Sequence, residues 1–169
     1  MKKYSKIWMV VSVSCCFIAL GCMNTPESSP FTGTWSLVTF EGRLDDGQII
    51  YPLGQNASGR ISYTSGGLVA VHLMKADRPK FTVSDKSKGT AEEIKAAFVG
   101  YEAYFGYYIH DETQKTVTHI LDGALFPNWE GSQQKRYYEI TNNQLTLRTD
   151  PTPYMGKTLV GVLVWERME

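Results

Sequence analysis

Cysteine, an excess of charge of either sign and catalytic motifs are what this 169-residue sequence has least of. All three cysteines, Cys15, Cys16 and Cys22, lie in the first 22 residues. The rest of the chain is therefore predicted to be held by a hydrophobic core without a disulfide. Lysine and arginine total 17, as do aspartate and glutamate. Without a clustered basic surface, nucleic acid is excluded as a partner.

Residue patterns that support catalysis or metal binding are equally scarce. The chain has no G-x-S-x-G, and its three histidines, His72, His110 and His119, are not at the spacing of metal ligands. His110 precedes Asp111 at a predicted turn and is expected to be solvated. We therefore predict no catalytic residue, no metal site and no cofactor.

The N-terminus has the composition of an export signal. Lys2, Lys3 and Lys6 precede an uncharged apolar run over residues 7–20, and "ALGC" occupies residues 19–22. Small residues before a cysteine resemble the lipobox of bacterial lipoproteins. This resemblance implies that residues 1–21 are a lipoprotein signal peptide and that Cys22 is lipidated and anchors the protein to a membrane. The alternative is an ordinary cleaved signal in which Cys22 has no special role.

Residues 22–31 separate this signal from the rest of the chain. They are polar and contain Pro26 and Pro30, which favours a flexible tether after the lipidated cysteine. Removal of residues 1–21 leaves 14 basic and 17 acidic residues, a net charge of −3. Met23 is not the aspartate that retains lipoproteins at the inner membrane. We therefore expect a location in the cell envelope, at the outer membrane, facing the periplasm or the cell surface.

From residue 33 onward the sequence is a series of short alternating runs separated by turn residues. In "TWSLVTFE", Trp35, Leu37 and Thr39 share one face, and similar runs lie on either side of glycine-containing or asparagine-containing turns. With a short irregular run at residues 49–52, the sequence predicts nine strands. Their consecutive hairpins make the strands antiparallel.

One segment has helical periodicity instead. Thr90 and Glu93 have the spacing of a capping box, and the apolar residues that follow fall on one helical face: Ile94, Ala97, Phe98 and Tyr101. The helix is predicted to end near Gly100. Its apolar face is expected to cover part of the sheet or to close one end of it.

An antiparallel sheet of eight or nine strands avoids exposed edges by closing into a barrel. Closure would place Trp35, on the first strand, beside Arg167, on the last, with the guanidinium over the indole ring. Such a contact contributes on the order of 1 kcal/mol. Gly33 would be small because the backbone passes close to the barrel floor there.

These residues resemble the calycins. The G-x-W of Gly33 and Trp35, together with Arg167 in "LVWER", is similar to the lipocalin signature. Further stretches resemble the bacterial and fungal lipocalin-like domain family: "YPLGQNASGRISYT", "LMKADRPKF", "GTAEEIKAAFVGYEAYFG", "TVTHILDGALFPNWEGSQQKRYYE" and "LTLRT". The resemblance implies an all-β fold over residues 32–169, an antiparallel lipocalin-like β-barrel of 8–9 strands with one mid-chain amphipathic helix. Typical lipocalins carry their helix after the last barrel strand, and the smaller family has no generally assigned reaction.

A ligand site, if present, is expected inside the barrel. Tyrosines give a cavity apolar walls with polar handles, and the candidate ligand-binding residues are His72, Tyr104, Tyr107, His119 and Arg136. The alternative is a barrel filled by these side chains, with no cavity. Asp122 and Glu130 are candidates for the mouth, whereas Trp129 is expected either there or packed against the barrel end.

Three functions are consistent with these features. The first, which we favour, is a membrane-anchored binding protein that holds a small hydrophobic or aromatic molecule in its barrel. The second is a barrel enzyme of the isomerase, cyclase or hydratase kind, with His119 or His72 as acid-base and a tyrosine as proton donor. The third is a structural envelope protein, which a large apolar patch outside the barrel would favour.

Overall fold

A computed structural model describes residues 29–168, which form ten strands and one α-helix. The strands are β1 Gly33–Leu44, β2 Ile49–Ile50, β3 Ser58–Tyr63, β4 Leu68–Met74, β5 Tyr101–Asp111, β6 Thr116–Ala124, β7 Gln133–Thr141, β8 Gln144–Thr149, β9 Thr152–Tyr154 and β10 Lys157–Arg167. The helix α1 is Ala91–Val99, and short 3-10 turns lie at Lys86–Lys88 and Pro127–Trp129.

Eight of the strands close into an antiparallel barrel. Their order around the ring is β1-β3-β4-β5-β6-β7-β8-β10, and β10 pairs back onto β1 from Trp35↔Arg167 to Leu44↔Leu159. The short strands β2 and β9 extend β1 and β10 at one end of the ring. The predicted all-β barrel is therefore confirmed, with β9 as a strand that the sequence pattern did not indicate.

Two irregularities change which side chains face inward. The pairing of β1 with β10 shifts register between Leu37 and Thr39, and the pairing of β5 with β6 shifts between Phe105 and Gly106. After the first shift, Phe40 packs against the core in line with Trp35 and Leu37. The prediction that Thr39 shares a face with Trp35 and Leu37 is therefore wrong, because a bulge after Leu37 inverts the alternation.

The end of the barrel where β1 begins is closed by aromatic packing. Phe31 is fully buried, and the rings of Tyr63, Tyr108, His110 and Tyr138 lie 4.7 to 6.0 Å from its ring, centroid to centroid. His110 is exposed, as predicted, although its ring also contacts Phe31. We call this the closed end.

The predicted contact between Trp35 and Arg167 is present at the closed end. Cζ of Arg167 lies 4.0 Å from the centroid of the Trp35 ring. Its Nη1 and Nη2 donate to the carbonyls of Thr32 and Pro30, at 2.6 and 2.9 Å, while the Trp35 indole donates to the carbonyl of Phe31 at 2.8 Å. Gly33 has a φ of +126°, and a Cβ there would lie 3.0 Å from Nη1 of Arg167.

The folded domain begins ahead of residue 32. Phe31 belongs to the core and Pro30 bonds to Arg167, so the last residues of the predicted tether at 22–31 are part of the packed structure. The predicted signal peptide at 1–21, Cys22 and the rest of the tether up to residue 28 lie outside the described residues. Within 29–168, no helix is long and apolar enough to cross a membrane.

Helix α1 begins with the capping box that the sequence predicts. Thr90 accepts from the backbone of Glu93, and Glu93 accepts from the backbone of Thr90. The apolar face of α1 is not buried, and Ile94 and Phe98 line an outer groove together with Tyr101 and Leu125. Tyr101 begins β5 and is not part of the helix.

Candidate functional site

The half of the barrel away from the closed end contains a cavity of about 650 Å³. Its apolar wall is formed by inward side chains of several strands: Phe40, Ile61, Val71, Leu73, Leu147, Leu163 and Trp165. Its rim includes Pro52, Trp129, Thr152 and Tyr154. These rim residues follow the strand ends opposite Phe31, so the cavity opens at the end farthest from the closed end.

Below the cavity the barrel is solid. Tyr63, Val117, His119, Tyr138 and Leu145 are buried in the core cluster or against it and do not line the cavity. The sequence left open whether the barrel holds a ligand cavity or is filled by side chains. Each alternative describes one half, because tyrosines fill the half at the closed end and the other half is hollow. The volume lies within the range usual for small-molecule sites, roughly 300 to 1,000 Å³.

A few polar side chains interrupt the apolar wall. Glu102, Tyr104, Gln134 and Arg136 all line the cavity. Arg136 donates to the side-chain oxygen of Gln134 at 2.5 Å and to the backbone of Lys135 at 2.9 Å. In the part of the chain that the structure describes, Arg136 has no carboxylate partner within 4.0 Å. Burial raises the pKa of Glu102, and the positive charge of Arg136 opposes that rise.

A buried chain of hydrogen bonds joins the solid half to the cavity. Nε2 of His119 lies 2.8 Å from the Tyr63 hydroxyl, and Nδ1 of His119 lies 2.8 Å from the Tyr104 hydroxyl. His119 is 0% exposed. Burial, together with the nearby Arg136 charge, lowers its pKa to about 3, and burial raises the pKa of Tyr104 to about 12. At neutral pH all three groups are uncharged.

The alternation of inward and outward side chains along the strands explains how these three side chains come together. Tyr63 shares the inner face of β3 with Ile61, and Tyr104 shares that of β5 with Tyr108. His119 lies on the inner face of β6, between the inward residues two positions before and after it. Because β3 and β6 are separated by two strands, His119 meets Tyr63 across the interior. The strands therefore place three residues, distant in sequence, on one hydrogen-bonded line.

Three of the five predicted ligand-binding residues face the interior, and two do not. Tyr104 and Arg136 line the cavity, and His119 lies beneath it, in contact with Tyr104. The predicted inward position of His72 and Tyr107 is wrong. On β4 the inner face belongs to Val69, Val71 and Leu73, so His72 points outward and bonds to Tyr101. Tyr107 is outward because Tyr104 and Tyr108 occupy the inner face on either side of a glycine.

Comparison with known proteins agrees with this architecture. The profile of a family described as "Lipocalin-like domain" matches residues 32–168. The chain belongs to this lipocalin-like domain family. It is also similar to the 4'-hydroxy-3'-methoxypropiophenone carrier protein of Aspergillus oryzae, at 26% identity over 107 residues that span 59% of this chain and 96% of the relative. No solved structure is significantly similar to the chain.

The lipocalin-like domain has site residues that the sequence analysis missed. Glu102 lies two residues before Tyr104, on the same face of β5, so alternation from Tyr104 would have found it. Tyr63 and Trp165 could have been selected as large residues on otherwise apolar inner faces. Trp165 lines the cavity, and its buried indole nitrogen has no hydrogen-bond partner among residues 29–168.

An apolar strip runs along the outside of the lipocalin-like domain. Phe105, Tyr107 and Ile109 alternate outward on β5 and are 59%, 51% and 60% exposed. Leu68 on β4 pairs directly with Tyr107 and is also exposed. This strip is the observation that favours the third alternative, a contact surface.

The chemistry available inside the lipocalin-like domain is mainly that of binding. His119 is a weak base at neutral pH because its pKa is about 3, and a general base works best when its pKa lies near the working pH. It reaches the cavity only through Tyr104. Within the described residues, no three acidic, histidine or cysteine side chains are grouped to hold a metal ion.

Proposed function

We propose that the protein binds a small aromatic or otherwise apolar molecule in the open half of its barrel. The observation that carries the proposal is the cavity of about 650 Å³, which is lined by aliphatic and aromatic side chains with a few polar groups among them. Apolar walls with a small number of fixed polar groups are the usual construction of a ligand site.

The similarity to a carrier protein supports the same proposal. That relative is named for a propiophenone with hydroxy and methoxy groups, which is a small aromatic ketone. The aromatic side chains in the cavity wall, Phe40, Tyr104, Trp129 and Trp165, suit such a ring, since aromatic pairs attract each other at edge-to-face or offset angles.

Native mass spectrometry tests the proposal directly. The protein would be expressed in a bacterial envelope, purified gently and measured before and after denaturation. We expect added mass that denaturation releases, and the released molecule identifies the ligand class. Bare protein, together with no uptake of 2-ethylnaphthalene or 2-acetylnaphthalene in titrations, would contradict the proposal.

A tryptophan introduced into the cavity should abolish binding. Leu73 is buried and lines the cavity, so Leu73→Trp would occupy much of the space. We expect affinity for 2-ethylnaphthalene, measured by calorimetric titration, to fall at least about tenfold, which corresponds to about 1.4 kcal/mol. The matched control is His72→Trp, one residue earlier, whose side chain points outward. Equal losses in the two variants would contradict a site inside the barrel.

We further propose that Cys22 carries a lipid anchor and that residues 1–21 are removed as a signal peptide. The "ALGC" sequence at residues 19–22 and the basic residues before it support this proposal. The chain enters the domain at the closed end, where Pro30 contacts Arg167, while the cavity opens at the other end. A tether of this kind would hold the barrel at the membrane, most simply the outer membrane, with its mouth turned away.

The anchor can be tested by mass spectrometry and fractionation. We expect the N-terminal peptide of the mature protein to begin at a diacylated Cys22 and the protein to sediment with membranes. Cys22→Ser should remove the lipid and move the protein to the soluble fraction. An unmodified Cys22, or a Cys22→Ser protein that still sediments with membranes, would contradict the anchor without affecting the binding proposal.

A further inference from the structure

The hydrogen atoms in the chain Tyr63–His119–Tyr104 can be assigned by elimination. A doubly protonated imidazole would be a cation that is fully buried and has no carboxylate within 4.0 Å among the described residues. A buried charge without a partner is strongly unfavourable. His119 is therefore neutral, with one N–H and one acceptor nitrogen, as the lowering of its pKa to about 3 also indicates.

Two tautomers remain, and they differ in which tyrosine keeps an unused hydrogen. If Nε2 carries the proton, it donates to Tyr63 and Tyr104 donates to Nδ1. The hydroxyl hydrogen of Tyr63 then has no acceptor, because the Tyr63 hydroxyl has no partner other than His119 among residues 29–168. Tyr63 is buried in the solid half. A buried donor without an acceptor is unfavourable, so this tautomer is disfavoured.

With the proton on Nδ1, the Tyr63 hydroxyl hydrogen has an acceptor. Tyr63 donates to Nε2, and Nδ1–H donates to the oxygen of Tyr104 at the distances observed, both 2.8 Å. The unused hydrogen is now that of Tyr104, which lines the cavity. A ligand there can accept it, whereas no ligand reaches Tyr63.

We propose that His119 holds the Tyr104 hydroxyl as a hydrogen-bond donor into the cavity, so that the site selects apolar molecules with an acceptor oxygen, such as aromatic ketones, esters or ethers. This inference rests on the proposed function and names the ligand class of the same cavity. Tyr104 stays protonated at neutral pH, because burial raises its pKa to about 12. Tyr63 and His119 are positioning residues, since they act on the ligand through Tyr104.

A pair of probes of equal shape tests the selectivity. 2-Acetylnaphthalene carries a carbonyl oxygen where 2-ethylnaphthalene carries two hydrogens. The quantity to measure is the ratio of their affinities, compared between the wild-type protein and Tyr104→Phe. Removing a neutral hydrogen bond worth about 1 kcal/mol should lower that ratio about fivefold. Affinity for 2-ethylnaphthalene should stay within about twofold and serves as the control for folding.

Tyr63→Phe separates positioning from packing. The phenylalanine keeps the ring in the aromatic cluster of the closed end but removes the hydrogen that occupies Nε2 of His119. Nε2 of His119 then has no partner in either tautomer, so the Nδ1–H tautomer is no longer favoured. Tyr104 can therefore donate its hydrogen to Nδ1 instead of to the ligand. We expect the affinity ratio to fall by about twofold to fivefold, although Tyr63 does not touch the ligand. A purely structural Tyr63 would leave the ratio unchanged.

The tautomer itself can be read by nitrogen NMR of His119 in the wild-type protein, which requires no variant to fold. We expect the shift of a protonated nitrogen at Nδ1 and of an acceptor nitrogen at Nε2. The opposite assignment would overturn the inference. An affinity ratio of the two probes that Tyr104→Phe leaves unchanged would also overturn it, particularly if Arg136→Gln lowers that ratio instead. In both cases binding of the two probes would persist and the proposed function would stand. If neither probe binds, the proposed function and this inference fall together.

Discussion

Trp35→Ala should lower the melting temperature by roughly 10–20 °C, because large aromatic residues removed from a core cost about 3–5 kcal/mol. Trp35 is fully buried at the closed end and donates to the carbonyl of Phe31. The alanine variant would lose the packing of the indole, its hydrogen bond to Phe31 and its contact with Arg167. Thermal unfolding followed by near-ultraviolet circular dichroism measures the change.

Arg167→Ala should produce a smaller fall of roughly 5–10 °C. Its guanidinium covers the Trp35 ring and donates to the carbonyls of Thr32 and Pro30. Together these contacts contribute about 2–3 kcal/mol. Arg60→Ala is the matched control, since Arg60 is exposed on the neighbouring β3 and bonds to Ser36; we expect it to stay within about 0.5 kcal/mol. A melting temperature that Arg167→Ala does not change would contradict this account of barrel closure.

The selectivity of the cavity should not change in either closed-end variant. Neither Trp35 nor Arg167 lines the cavity. The affinity ratio of 2-acetylnaphthalene to 2-ethylnaphthalene should therefore match that of the wild-type protein. This separates loss of stability from loss of the site.

Local patterns carry enough information to predict the barrel. Alternating runs and turn residues define the hairpins, and the turn at Asn142 uses a positive φ of 54° as its residue type predicts. The capping box at Thr90 defines the start of α1. Strand β9 was missed because Pro153 lies at its centre, and proline is tolerated only on edge strands such as this one, which pairs with β10 alone.

The site was harder to predict because alternation gives two faces and does not say which is inside. On β4 the apolar set at Val69 and Val71 lies inside, so His72 is outside. A bulge reverses the alternation without a signal in composition, as it does after Leu37. Contact between His119 and Tyr63 depends on closure of the whole ring. No pattern within one strand could show it.

The buried His119 should make the protein lose stability as the pH falls below neutrality. An unfolded histidine binds a proton with a pKa of about 6.5, whereas burial holds the folded pKa of His119 at about 3. Between these values the unfolded state binds more protons than the folded state, so acid favours unfolding. The loss begins near pH 6.5 and continues down to about pH 3.

Comparison with His119→Gln isolates this contribution. Between pH 7 and pH 5 the wild-type free energy of unfolding, from urea titrations, should fall by about 2 kcal/mol more than that of the variant. Glutamine cannot take up a proton, and its amide can still donate to one tyrosine and accept from the other. Carboxylates such as Glu102, whose raised pKa acts in the opposite direction, are present in both proteins and cancel in the difference. Parallel curves for His119→Gln and the wild-type protein would mean that His119 gains its proton in the folded barrel as readily as in the unfolded chain. The neutral Tyr63–His119–Tyr104 chain would then have to be abandoned.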